Sequence, residues 1–174
     1  MSKSEEKIEN VFFELIDTYP IEEINISLLT SKLKMSRQSF YYHYQSIYDL
    51  IFSIFYSKKI KCNNYNDFKE IICDLQAFLN NYKVLCKKII NSNASDILEE
   101  FIYSYLLKSL KEYFRLKNLN NDYLITFYAS GIKDIVVNVL KQEEDIQNLV
   151  NIITKTFLNG LHFDYFINDL KQNS

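Results

Sequence analysis

Only three of the 174 residues are glycine or proline: two Gly and one Pro. Sheets with tight hairpins need such residues at their turns, so their scarcity points to long helices joined by polar breaks. The apolar spacing agrees. Ile8, Val11, Phe12, Leu15 and Ile16 recur at i, i+3, i+4, i+7 and i+8, one face of a helix, with Glu5, Glu6, Glu9, Glu14 and Asp17 on the remainder. Pro20 ends that helix. A second, short pattern (Ile26, Leu29, Leu33) follows, with Asn25 as its N-cap. Ser36 is placed to cap a third helix over residues 37–44, and a fourth starts near Ser46 and runs to about Cys62, with Ile47, Leu50, Ile51, Ile54 and Phe55 inward.

Beyond residue 66 the segments lengthen. Phe68, Ile71, Ile72, Leu75, Phe78, Leu79, Tyr82 and Cys86 form one long stripe, ended by "NSNAS". Helices are expected over 96–116, 123–141 and 144–159, with Asn159-Gly160 ending or bending the last before 161–170. The expected fold is all-α: a small N-terminal domain (1–62) and a larger helical body (63–174).

Two short helices joined by a tight turn, with a first helix across them, make a helix-turn-helix, here over about 26–45. Such a unit sets its second helix in the DNA major groove. The whole chain carries only −2, but local charge decides nucleic-acid contact. Between Ile24 and Ile60 the cations Lys32, Lys34, Arg37, Lys58 and Lys59 oppose Asp49 alone, five against one, a local charge of +4. Residues 1–23 hold two cations against seven acids, a charge of −5. An acidic first helix facing away and a basic turn facing phosphate fit that division; so does a turn that is merely solvated.

The stretch "LLTSKLKMSRQSFYYHYQSIYDL" adds specificity. Residues 8–56 resemble the N-terminal domain of the tetracycline-repressor (TetR) family of bacterial regulators, whose helix-turn-helix reads I-A-x-x-A-G-V-S-x-x-T-hydrophobic-Y-x-H/Y-F-x-x-K-x-x-L. Leu29, Met35 and Ser36 fall at the Ile, Val and Ser positions, Phe40-Tyr41-Tyr42-His43-Tyr44 at the hydrophobic-Y-x-H-F positions, and Leu50 at the final Leu. Three positions depart: Lys34 stands for the turn glycine, Thr30 for a small alanine, and Ile47 for a lysine that reaches phosphate. The resemblance implies double-stranded operator DNA as partner, read by Ser27, Lys34, Ser36, Arg37, Gln38, Ser39, Tyr41, Tyr42 and His43. Tyr41 and His43 fit the phosphate-bonding positions, while Arg37, Gln38, Ser39 and Tyr42 can reach base edges. Phe40 and Tyr44, four apart, fit a buried face with Ile47 and Leu50.

The resemblance further implies a homodimer through a four-helix bundle and, in the body, an effector site. "FYASGIKDIVVNVLK" and "EEDIQNLVNIITKTF" look like the dimerising pair, with Ala129, Gly131, Ile135, Val139, Leu149, Ile153 and Phe157 at the interface. A glycine inside a helix costs about 1 kcal/mol against alanine, which suggests close packing at Gly131. Phe78, Tyr82, Phe101, Tyr105, Phe127 and Tyr128 would line a pocket for a small apolar or cationic effector. The same residues also suit an ordinary core.

Other classes find less support. Cys62, Cys73 and Cys86 are odd in number and widely spaced, without C-x-x-C, so reduced buried thiols are expected rather than disulfides or zinc. His162 has no partner His or Cys nearby in sequence, no Gly-rich phosphate loop exists, and no catalytic constellation emerges, so neither metal, cofactor nor enzymatic activity is expected. The charged start "MSKSEEKIEN" is no signal peptide, and no run is expected to reach the ~18 apolar residues of a membrane span. The reading is a cytoplasmic regulator, first a repressor released by an effector. The alternatives are a regulator, possibly an activator, controlled by a protein partner, and a helical scaffold that has lost DNA binding.

Overall fold

The computed structural model describes residues 2–58, 60, 65, 67–119, 121–142 and 144–159, the last two by backbone only. Expectations for Lys59, Cys62, Gly160, His162 and the 161–170 segment lie outside these residues. Nine α-helices are described: α1 (Lys3–Thr18), α2 (Ile26–Leu33), α3 (Arg37–Tyr41), α4 (Ile47–Ser57), α5 (Phe68–Asn81), α6 (Lys83–Ile90), α7 (Ser95–Leu116), α8 (Asp122–Lys141) and α9 (Leu149–Ile153). Single 3-10 turns occupy Ile21–Glu23 and Ile146–Asn148, and a π-helical turn follows at Thr154–Asn159.

Two compact units emerge. One comprises Met1–Lys59 with Tyr82–Phe101, the other Ile60–Asn81 with Ile102–Ser174. The first unit is therefore built from two stretches of chain. α1 packs on α2 and α6, and α2 on α3. Ile8, Phe12, Leu15 and Ile16 of α1, Leu29 of α2, Phe40 of α3 and Leu50, Ile51, Ile54 and Phe55 of α4 are buried, as the spacing predicts. Lys88 of α6 donates through Nζ to the Ile16 and Tyr19 carbonyls, satisfying carbonyls left open at the end of α1. Phe13 and Tyr82 stack at 6.4 Å, and the Phe55 and Phe101 rings at 5.4 Å.

In the second unit α5 and α8 both pack on α9. The rings of Phe68 and Tyr113 meet at 6.5 Å, those of Phe114 and Tyr128 at 6.1 Å, and those of Tyr128 and Phe157 at 5.5 Å. Tyr65 and Tyr105 are buried with their hydroxyls 2.9 Å apart. The Tyr65 hydroxyl is also 2.9 Å from Asp74 Oδ2 and that of Tyr105 3.0 Å from the Ile71 carbonyl, so two protons are shared among three contacts and both buried hydroxyls are paired. Burial, then the bond with Tyr65, pushes the Tyr105 phenol well above its ordinary range.

Several expectations are corrected. The 68–86 stripe is two helices, broken at Tyr82 (φ −116°, ψ 30°). The third helix ends at Tyr41 and the fourth at Ser57, both earlier than expected. Residues 146–159 pass from 3-10 to α to π rather than forming one α-helix. Of the two described thiols only Cys86 is buried, and burial pushes it up to about 12; Cys73 is exposed. α8, with 20 residues and an 18-residue window of mean hydropathy 1.3, is long and apolar enough by length and composition to cross a membrane, contrary to the expectation of no such run. Its Ile125, Tyr128, Ala129, Ile132 and Val136 are buried in the folded chain.

Candidate nucleic-acid interface

The turn between α2 and α3 is set by backbone chemistry. α2 starts at Asn25, whose side chain accepts from Leu28 N at 3.0 Å, and ends at Lys34 in the left-handed region (φ 52°, ψ 39°). Lys34 N bonds to Ser31 O at 3.2 Å and Met35 N to Thr30 O at 3.1 Å, the paired bonds that close a helix C-terminus with a left-handed residue. The lysine thus adopts the conformation that the family's glycine adopts freely, at a cost of about 1 kcal/mol. Lys34→Gly is expected to raise stability by roughly that amount. Thermal melting checks it; an unchanged or lower midpoint would remove the strain argument. Thr30, the second departure, is buried and returns its hydroxyl to the Ile26 carbonyl at 2.7 Å, so no polar group is left unpaired.

α3 begins at Ser36, whose Oγ accepts from Ser39 N at 3.1 Å. Its five helical residues divide cleanly. Phe40 points inward with no exposed surface, its ring 5.8 Å from that of Tyr44, and Ile47 and Leu50 are buried as well. Burial, then the field of Glu9, raises the Tyr44 phenol to about 12. Gln38 and Ser39 are exposed, Tyr41 is 54% exposed and Tyr42 86%.

Two depressions flank α3. One, of about 430 Å³, is lined by Asn25, Ile26 and Ser27 at the start of α2, by Ser46, Ile47 and Tyr48 at the start of α4, by Arg37 and Tyr41, and by Ile21, Glu22, Ile24 and Asn93. Arg37 Nη2 donates to Ser27 Oγ at 2.6 Å across this side. Two helix N-termini and a guanidinium favour an anion in this hollow, against the carboxylates of Glu22, which also lines it, and of Asp49 in the first turn of α4. Ile47, third of the departures, is buried at the same place, beside Ser46 and Arg37. The other depression, of about 440 Å³, is lined by Ser36, Gln38, Ser39, Tyr42 and His43 with Ser4 of α1. Eight of the nine sequence-predicted residues therefore fall on the two flanks of one short helix; Lys34 stands at the turn itself.

The local charge is partly consumed within the fold. Lys32 pairs with Glu14 at 3.1 Å and Lys58 with Glu9 at 3.2 Å. Glu9, expected among the solvated acids of α1, is buried by that pairing. Asn25 and Ser46 line the first depression, Ser4 lines the second and Glu5 reaches His43, none of them expected there from sequence. The first two carried an N-cap signal; the last two sit on a helix whose acidity suggested that it faced away.

The residues expected elsewhere scatter more. Tyr82 and Phe101 belong to the first unit, Phe78, Tyr105, Phe127 and Tyr128 to the second, so neither unit gathers all six around one cavity. Phe78, Phe101, Tyr105 and Tyr128 are buried, whereas Phe127 is 59% exposed. Ala129, Val139, Leu149, Ile153 and Phe157 are buried within one chain, and Gly131 and Ile135 are half-buried. A Cβ on Gly131 would lie 3.0 Å from Cζ of Phe157, so the close packing suggested for this glycine is met inside the chain. Among the described residues no group of three or more His, Cys, Asp and Glu is placed to hold a metal ion.

These elements define an all-α chain with short N-terminal helices in a helix-turn-helix arrangement and further helices beyond. A solved structure described as the dihydroxyacetone kinase operon activator DhaS shares the fold, with a TM-score of 0.69, 17% identity, and coverage of 91% of this chain and 96% of that one. No protein-family model matches the chain, and no curated protein matches it.

Proposed function

We propose that the chain is a TetR-type transcriptional regulator that binds palindromic operator DNA as a homodimer. The observation that carries the reading is the geometry of α3: a Ser36-capped helix presenting Gln38, Ser39 and Tyr42 outward, with a hollow of two helix N-termini, Arg37 and Tyr41 on one flank and His43 on the other. Base edges would meet Gln38, Ser39 and Tyr42, and phosphates the hollow beside Arg37 and the ring of His43. The N-terminal domain (1–62) is the DNA-binding part in this reading, and residues 63–174 the dimerisation and regulatory part.

Two recognition helices are needed because one short helix reads few base pairs; a dimer sets two about 34–36 Å apart on a palindrome. On α8 the residues Tyr123, Phe127, Gly131 and Ile135 recur every four positions, and Tyr123 is 91% exposed. This apolar stripe supports self-association through α8 and α9. Tyr123→Ser with Phe127→Ser is expected to yield monomer in sedimentation, with little change in melting of the monomer because both rings are exposed. A persistent dimer would move the interface elsewhere. Gly131→Leu is a poorer probe, since its side chain strikes Phe157 of its own chain.

In a second reading the chain is an activator controlled by a protein partner; the description of the fold neighbour as an operon activator supports the activator part of it. The division of the six aromatic residues between two units lends no support to a small apolar or cationic effector. Selecting bound fragments from sheared genomic DNA and sequencing them tests the central reading. Recovery of an inverted repeat is expected, and no enrichment over bulk DNA would leave the scaffold reading in its place.

A further inference from the structure

We infer that Glu5 is a positioning residue for DNA contact: it holds the proton of His43 on Nδ1, so that His43 grips phosphate only in its doubly protonated form. The inference rests on the DNA-binding reading above and adds a residue from α1 and a protonation requirement to it.

The geometry starts at the helix N-terminus. Ser2 caps α1, its Oγ accepting from Glu5 N at 3.2 Å, and Ser2 N donates to Glu5 Oε2 at 2.7 Å. This reciprocal capping box fixes the Glu5 carboxylate at one oxygen. The other oxygen, Oε1, lies 3.5 Å from Nδ1 of His43, whose side chain is mostly covered. An ionised carboxylate only accepts, so the imidazole nitrogen facing it carries the proton. The Ser2 N–H, and after it His43, hold the Glu5 carboxyl below its ordinary range, so it stays ionised in mildly acidic solution.

The consequence concerns the other nitrogen. In a neutral imidazole with its proton on Nδ1, Nε2 presents a lone pair and cannot donate to a phosphate oxygen. Only the imidazolium, protonated at both nitrogens, can bond Glu5 and phosphate together. His43 borders the depression formed with Ser4, Ser36, Gln38, Ser39 and Tyr42. The groups around it are accounted for: Glu5 and Ser4 from α1, and the rings of Tyr42 (centroids 5.2 Å apart) and Tyr44 (6.4 Å) from its own segment. Glu9 of α1 and Asp49 of α4 act on Tyr44 behind it, and Glu9 is paired with Lys58. Protonation of the second ring nitrogen therefore adds one phosphate contact while leaving the carboxylate in place.

The test uses the full chain, a random-sequence duplex of about 30 base pairs, and salt titrations at pH 6 and pH 8. One added phosphate contact steepens the dependence of log K on log salt by about 0.9. Wild type is expected to show that increase at pH 6, with roughly fivefold or tighter binding at fixed salt. His43→Gln is expected to show neither change. In Glu5→Gln the amide can donate to Nδ1, which lets the neutral ring keep its proton on Nε2, so the slopes at the two pH values should converge. Imidazole 15N shifts without DNA should show the Nδ1–H tautomer at pH 8 in wild type and a shift toward Nε2–H in Glu5→Gln. Equal slopes in wild type at both pH values, an unaltered pH difference in Glu5→Gln, or an unchanged tautomer would overturn the inference. Absence of binding to any duplex at either pH would overturn the DNA-binding reading and the phosphate role with it, and the tautomer measurement would then report on Glu5 and His43 alone.

Discussion

Phe40→Ala is expected to abolish DNA binding by melting the surface that α3 belongs to. The ring has no exposed surface and lies against those of Tyr41 and Tyr44, at 6.0 and 5.8 Å between centroids. Removing a buried phenylalanine costs about 3–5 kcal/mol, because the lost transfer energy adds to that of the cavity left behind. Small domains hold only about 5–15 kcal/mol in total, and a domain of this size loses about 4–8 °C per kcal/mol. A fall in melting midpoint on the order of 15 °C or more should follow. The comparison is Tyr42→Ala, two residues on, where the ring is 86% exposed; there the midpoint should hold within about 0.5 kcal/mol while base preference changes. Circular dichroism melting of the two variants checks the pair. Similar midpoints for both would mean that the inward and outward faces of α3 are not divided as described.

How legible was this arrangement? The division of the aromatic run was readable because helical spacing alone separates Phe40 and Tyr44 from Tyr42. The caps Asn25 and Ser36 were readable because each is a short polar residue before an apolar run, and each accepts the expected backbone N–H; Ser46, expected only as the start of the fourth helix, caps it in the same way. The break at Tyr82 was not, because the apolar spacing runs through it: Leu79, Tyr82 and Cys86 keep helical intervals while the backbone leaves the helix at a residue that is neither Gly nor Pro. Lys34 posed a choice, strain or a different turn, that spacing cannot decide; its φ decides for strain. The pairings of Glu9 with Lys58 and of Glu5 with His43 join residues some forty to fifty positions apart, and no local pattern encodes them. Acidity on α1 was legible, but not that Glu9 is buried against Lys58 or that Glu5 reaches His43.

Arg37 is where sequence and structure assign different partners, and it carries the second large effect. Spacing groups it with Gln38, Ser39 and Tyr42 as a reader of bases. In the folded chain its Nη2 instead donates to Ser27 Oγ at 2.6 Å, and it lines the hollow with Tyr41 and the starts of α2 and α4. Among the described residues no carboxylate pairs with it. An unpaired guanidinium between two helix N-termini suits a phosphate, which carries no sequence information. Arg37→Ala is therefore expected to weaken binding to operator and random DNA alike, by about 1.5–3 kcal/mol for a charge-assisted bond, and to flatten the log K against log salt slope by about 0.9. Gln38→Ala, on the other flank, should leave that slope alone and cost about 1–3 kcal/mol at particular base pairs only. Titrating both variants against the selected operator and against random duplex at three salt concentrations separates the two roles. A loss for Arg37→Ala confined to the operator, with an unchanged salt slope, would return the residue to the base-reading group and make its bond to Ser27 a feature of the free protein alone.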